Sequence, residues 1–224
     1  MADVKTEAEL EDPCVEVRRS RGRPQARCDD ETRSVIFDAA RHEFAASGYA
    51  ATSMESVARR AGVSTKTLYR LIPNKAALFE AMITDRIDTF TSVVRLGACD
   101  GRNIEAALGE ALIVCGELIL DSDVITLQRV ILSDSEKFPE IAETFYHKAI
   151  RRTEHTLATW LQAQHERGLL KIDDAETAAG ILLGMLVFQP QRAVMFGHAP
   201  TPGRDELERR ARTVAALFLR GCAR

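Results

Sequence analysis

Residues 52–75, TSMESVARRAGVSTKTLYRLIPNK, read as two short helices joined by a tight turn. Thr52 followed by Glu55 predicts a capping box, in which the hydroxyl accepts from an unpaired amide and the carboxylate reaches back to the cap residue's own N–H. Val57, Ala58 and Ala61 then make an apolar stripe, and Gly62 supplies the left-handed residue that closes the helix. Ser64 caps a second helix that turns Leu68 inward and leaves Thr65, Lys66, Thr67, Tyr69 and Arg70 outside. Two such helices form a helix-turn-helix, whose second helix normally enters the DNA major groove. Capped pairs joined by glycine also occur without nucleic acid. The outer face of the second helix favours DNA, because it is suited to phosphates and base edges and offers little apolar surface to a protein partner. Asn74 can cap the next helix, where Lys75 opposes the macrodipole unless an anion lies nearby, which predicts a phosphate clamp. The competing reading of Lys75 is a solvated surface lysine.

Outward from this segment, the run from Glu31 to Met82, including FAASGYAATSMESVARRAGVSTKTLYRLIPNKAALFEAM from Phe44, resembles the amino-terminal DNA-binding domain of the tetracycline-repressor (TetR) family of bacterial transcription regulators. The resemblance implies an all-α protein, with a three-helix DNA-binding head on a helical body for ligand binding and dimerisation. Leu71 and Ile72 depart from it, standing where the family usually shows polar or aromatic residues, so a backbone contact often made there is expected to be missing. Further on, SDSEKFPEIAETFY, from Ser133 to Tyr146, resembles the ligand domain of the AefR-like subgroup.

The 224 residues carry a net charge of -3, which by itself says nothing about nucleic acid. Its distribution says more: between Arg18 and Met82 twelve basic residues face seven acidic ones, a net +5 that leaves -8 for the rest. A basic head on an acidic body favours nucleic-acid binding by the head. Residues 1–28 read as an acidic, disordered stretch followed by a flexible basic arm whose Arg21 and Arg23 can follow the DNA backbone or enter a minor groove. Residues 29–75 form the head and 76–224 the body. No signal peptide or transmembrane span is legible, which predicts a cytoplasmic protein with no membrane partner. Cys14, Cys28, Cys99, Cys115 and Cys222 lack disulfide or zinc spacing, and no metal or cofactor is expected. An enzyme is disfavoured for the same reason: no Ser/His/Asp spacing, metal set or phosphate loop is present.

Asp30 or Thr32 is expected to start the first helix and Gly48 to end it. An amphipathic helix then runs from Asn74 to about Leu96, shared by head and body, which makes it the natural transmission element. Asn103 caps the next helix, a shorter one spans about 123–134, Pro139 enters a long helical pattern to about Gly168, and Asp173 or Asp174 starts a strongly apolar helix to about Phe196. Gly180-x-x-x-Gly184 in that helix predicts close helix approach, and Pro190 a kink or interruption. The last helix covers about 205–220.

Candidate lining residues for an apolar cavity, for a small hydrophobic or aromatic ligand, are Phe90, Val94, Leu112, Cys115, Ile119, Phe145, Tyr146 and Trp160, each of which reads equally as ordinary core. In proteins it resembles, the last two helices pair with their copies, which places Ile181, Gly184, Met185, Phe188, Val214, Leu217 and Phe218 at a homodimer interface. The functional expectation is a ligand-responsive repressor released by a small molecule from a pseudo-palindromic double-stranded DNA operator. Thr52, Ser64, Thr65, Lys66, Thr67, Tyr69, Arg70 and Lys75 are its expected DNA contacts, with the arm. The alternative is a DNA-binding regulator without a small-molecule ligand, constitutive or controlled by a partner.

Overall fold

The computed structural model describes residues 27–96 and 103–222, and no strand occurs among them. The elements are α1 (Asp29–Ala51), α2 (Met54–Ala61), α3 (Thr65–Leu71), α4 (Lys75–Leu96), α5 (Ile104–Ile119), α6 (Ser122–Asp134) and α7 (Pro139–Phe145). A single π turn (Tyr146–Ile150) then leads without a break into α8 (Arg151–Glu166), followed by α9 (Ala175–Met195) and α10 (Arg204–Cys222). The long helical pattern expected after Pro139 is therefore one rod carrying one widened turn. The expected all-α class holds.

The caps explain most of these bounds. Asn74 Oδ1 accepts from Ala77 N at 2.8 Å, Asn103 Oδ1 from Ala106 N at 3.0 Å, and Asp174 Oδ1 from Glu176 N at 3.0 Å, each satisfying a donor that a helix start leaves over. Two starts differ from expectation. α1 is capped by Cys28, whose Sγ accepts from Glu31 N at 3.4 Å while Glu31 Oε2 accepts from Cys28 N at 3.1 Å. α2 is capped by Ser53 with Ser56, and not by Thr52 with Glu55. Thr52 is buried and its hydroxyl donates to Gly48 O at 2.7 Å, so it closes the end of α1.

Two apolar clusters organise the molecule. One joins the head residues Ile36, Phe44 and Leu68 to Phe79, Leu127, Ile131 and Ile141 of the body, and its aromatic centre stacks Tyr49 on Phe44 and sets it edge-on to Phe79 and Phe138. Leu71 and Ile72 are buried there, which accounts for their apolar character at the end of α3. The second packs α5, α8, α9 and α10 around Leu112, Leu157, Leu161, Leu182 and Leu186. α4 contributes to both.

α9 runs through Pro190 uninterrupted. Proline offers no N–H to Leu186 O, one turn earlier, and Arg210 of α10 supplies the donor instead: its Nε donates to Leu186 O and its Nη2 to Met185 O at 2.9 Å. α9 is long and apolar enough by composition to cross a membrane, and here it packs against α5, α6, α8 and α10.

Candidate nucleic-acid interface and ligand cavity

The recognition face is built by three local choices. Gly62 takes φ +67°, and Val63 N donates to Ala58 O at 3.0 Å, which fixes the turn between α2 and α3. Ser64 Oγ accepts from Thr67 N at 3.0 Å and lies 2.8 Å from Thr67 Oγ1. Buried Leu68 and Leu71 then pin one side of α3, leaving Thr65, Lys66, Tyr69 and Arg70 exposed on the other. Among the described residues, Thr65 and Lys66 side chains make no hydrogen bond, so both remain available. Tyr69 is 46% exposed, its hydroxyl only 3.4 Å from Glu55 Oε1. Burial and the Glu55 carboxylate raise its pKa, so it stays a neutral phenol.

Several expected DNA contacts are already occupied. Arg70 forms a two-pronged pair with Asp29, Nη1 to Oδ2 at 2.8 Å and Nη2 to Oδ1 at 2.7 Å, which holds the Asp29 carboxyl below its usual range. Ser64 and Thr67 serve each other as cap and partner. Thr52 is corrected outright, being buried with its hydroxyl donated to backbone. Lys75 is committed within the chain as well: its Nζ donates to Tyr49 O at 2.8 Å, Thr52 O at 3.0 Å and Ala50 O at 3.3 Å, and lies 4.5 Å from the Tyr49 ring centroid. An ammonium with those partners ties α4 to the end of α1 and has no donor left for a phosphate. Burial lowers its pKa, against the opposing fields of Asp134 and Glu140. Arg21 and Arg23 lie outside the described residues.

Sequence reading missed the other half of this joint. Asp134, at the end of α6, accepts from Tyr49 N at 3.1 Å and Ala50 N at 3.4 Å, so the last residues of α1, beyond the non-helical Gly48, give their amides to the body and their carbonyls to α4. Nothing local marks Asp134, whose partners lie 84 and 85 residues away.

The body encloses a cavity of about 670 Å³ between α4, α6, the π turn and α9. Met82, Ile83, Arg86 and Ile87 bring α4 into its wall, Leu127 and Gln128 bring α6, and Gly180, Gly184 and Gln191 bring α9. Tyr146, Ala149 and Ile150 of the π turn also line it, consistent with the frequent use of such turns at functional sites. Tyr146 at 48% and Leu132 at 67% exposure mark its open side.

Of the expected lining residues, Ile119, Phe145 and Tyr146 belong to this wall. Phe90, Val94, Leu112, Cys115 and Trp160 do not: they are buried in the second cluster, filling the core that periodicity could not tell from a pocket wall. Burial pushes the Cys115 thiol up to about 12, which keeps it protonated. Among the expected interface residues, Ile181, Phe188 and Leu217 are each more than half exposed. Met185 and Phe218 are half-buried, Gly184 faces the cavity, and Val214 is buried within its own chain's core, which removes it from that surface.

A helix-turn-helix with a free polar recognition face, mounted on a hollow helical body, defines a DNA-binding regulator. The model of the tetR family of bacterial regulatory proteins matches residues 36–82, and that of the AefR-like transcriptional repressor C-terminal domain matches residues 106–222. The chain belongs to this family of transcriptional regulators, which are not enzymes.

Among solved structures, it is similar to a TetR-family transcriptional regulator from Mesorhizobium loti, with 28% identity, coverage of 88% of this chain and 98% of that one, and a TM-score of 0.74. A TetR family regulator from Pseudomonas syringae shares 26% identity over 85% of this chain and 96% of its own, with a TM-score of 0.64. The flavonoid-responsive regulator FrrA shares 26% over 86% and 97%, at 0.62. The transcriptional activator FasR of Mycolicibacterium smegmatis is 38% identical over 66 residues, and the chain spans about 30% of that relative's length.

Proposed function

We propose that the protein is a homodimeric repressor that leaves a pseudo-palindromic operator when a small, mainly apolar molecule enters the body cavity. The observation that carries this is the position of the cavity against α4: Met82, Ile83, Arg86 and Ile87 line it on the helix whose first residue, Lys75, grips the end of α1 just before the recognition helices. A ligand that prefers a different α4 setting would change the head spacing, and only that difference in affinity can drive release. FrrA, similar over most of both chains, is a flavonoid-responsive regulator, which supports a ligand of drug-like size. The AefR-like match is to a repressor domain and supports the negative sign.

In this reading the chain divides into an acidic then basic flexible arm at 1–28, a head at 29–75 and a body at 76–224 that operates in the cytoplasm. Lys66 and Thr65 contact base edges, Thr67 and Tyr69 hold the backbone, and Arg70 joins them only by leaving Asp29. Ile181, Phe188 and Leu217 supply the apolar face that a second copy covers.

The experiment is selection of bound duplexes from a randomised pool, followed by salt titration on the enriched site. A two-fold symmetric site with steep salt dependence is expected, together with loss of its preference in Lys66→Ala. Absence of any enriched sequence would sink the operator reading. Operator binding that ignores every cavity ligand would leave a constitutive or partner-controlled regulator.

A further inference from the structure

Resting on the reading of the protein as a dimer on a two-fold operator, we propose that Asp134 is a positioning residue that sets the angle of each recognition helix and thereby the half-site spacing that the dimer accepts. The helices α2 and α3 pack chiefly on α1 and on each other, so their place relative to the body follows from that of α1. In the body α1 lies against α6 and α4. Leu127 and Ile131 of α6 share an apolar cluster with Ile36 and Phe44 of α1, and burial of that kind has no preferred direction. Hydrogen bonds do have one. Among the described residues, those that tie α1 to α4 and α6 all lie at its last residues.

The chain leaves helical geometry at Gly48, φ +79°, and Tyr49 N and Ala50 N then donate to a single oxygen of Asp134, Oδ2, at 3.1 Å and 3.4 Å. A Cβ built on Gly48 would stand 3.5 Å from the same oxygen, so this backbone is seated directly against the carboxylate. Asp134 is itself held in place. Its carbonyl accepts from Lys137 N at 3.0 Å and Phe138 N at 2.9 Å, in the turn that sets Phe138 edge-on to the Tyr49 ring. Lys75 Nζ takes the carbonyls of Tyr49 and Ala50. With amides fixed on one side and carbonyls on the other, the end of α1 cannot rotate without breaking a bond to Asp134 or Lys75. α2 begins soon after, at Met54, and inherits that angle. On DNA one base pair is a shift of about 3.4 Å along the axis and about 35° around it, so two heads held at one angle reject a site that is one pair too long or too short.

The test measures full-chain affinity, at one salt concentration, for the site enriched from the randomised pool, for the same site with one base pair inserted or removed at its centre, and for a single half-site. The wild-type protein should bind both altered spacings about tenfold or more weakly than the enriched site. Asp134→Ala should narrow that penalty to about threefold or less while half-site affinity stays within about twofold of wild type. Asp134→Asn keeps an oxygen acceptor and should restore most of the discrimination. Asp134→Ser, too short to reach the amides, takes the place of the alanine variant should that one fail to fold. An unchanged spacing penalty in Asp134→Ala or Asp134→Ser overturns the proposal and leaves the angle to apolar packing. Equal loss on the half-site and the full site also overturns it, since Asp134 would then support the fold of the head. Wild-type tolerance of both altered spacings overturns it as well. A pool that yields no two-fold site removes the operator reading itself, and the proposal with it.

Discussion

At Lys75 the carbonyls left over by the end of α1 are taken up by one ammonium, whereas about three turns further along the same helix Arg86 keeps a buried Nε–H without a partner beside a cavity of about 670 Å³. The same contrast separates the glycines. A Cβ built on Gly116 of α5 would stand 2.4 Å from Leu207 Cδ1 of α10, so the two helices are in close contact there. Gly180 and Gly184 of α9, whose spacing predicts close approach, have nothing within 4 Å of such a Cβ and open onto the cavity instead. The head and the α5–α10 joint are dense, and the region between α4, α6 and α9 is hollow. Residue type and spacing do not carry that difference, since a lysine, an arginine or a glycine can serve either plan.

The contrast is broken most directly at Lys75. Lys75→Met removes three bonds to carbonyls in a half-buried joint and should lower unfolding stability by about 2–3 kcal/mol in urea titration. A loss under about 0.5 kcal/mol would mean that the ammonium is not holding the joint and would return it to the phosphate reading. Gly116→Ala comes next: Leu207 is buried and cannot retreat freely, so overpacking of about 1–3 kcal/mol outweighs the helix propensity gained, for a net loss near 1 kcal/mol. Gly184→Ala tests the hollow side and should raise stability by about 0.5–1 kcal/mol, because the methyl enters open space and the unfolded chain loses freedom. A destabilised Gly184→Ala would show that the space closes in solution.

Smallest is the acid response. Hydrogen bonds from Arg70 to Asp29, from Arg60 to Glu43 and from Thr177 to Asp174 hold all three carboxyls below their usual range. A carboxyl depressed on folding contributes stability that is fully present above its unfolded pKa and is lost as pH falls through the folded value. The melting temperature should therefore decline below about pH 4, and Arg60→Met and Arg70→Met should each flatten the decline. An unchanged slope in both variants would remove these pairs from the account.

Much of the head was legible because its signals are local. Gly62, Ser64, Asn74, Asn103, Pro139 and Asp174 act on residues within a turn of themselves, and each helix boundary they predict is found. The misplaced boundary at Thr52 has a tertiary cause: its hydroxyl is drawn to carbonyls of Gly48 and Glu43, the latter nine residues back, and Ser53 takes over the cap. Pro190 shows the reverse, a helix breaker tolerated because Arg210, twenty residues on, replaces the lost donor.

By itself, then, the sequence determined the all-α class, the helix-turn-helix with its exposed Thr65, Lys66 and Tyr69, the family to which the chain belongs and most helix ends, since capping and periodicity act within a few residues. Only the tertiary structure decided which cations are committed to backbone carbonyls, which apolar residues are core and which are wall, and that Gly180 and Gly184 open a space where the spacing predicts closure. Core and wall carry the same apolar pattern. What distinguishes them is whether a neighbouring helix comes close enough to fill the gap, and that distance is set by residues far apart along the chain.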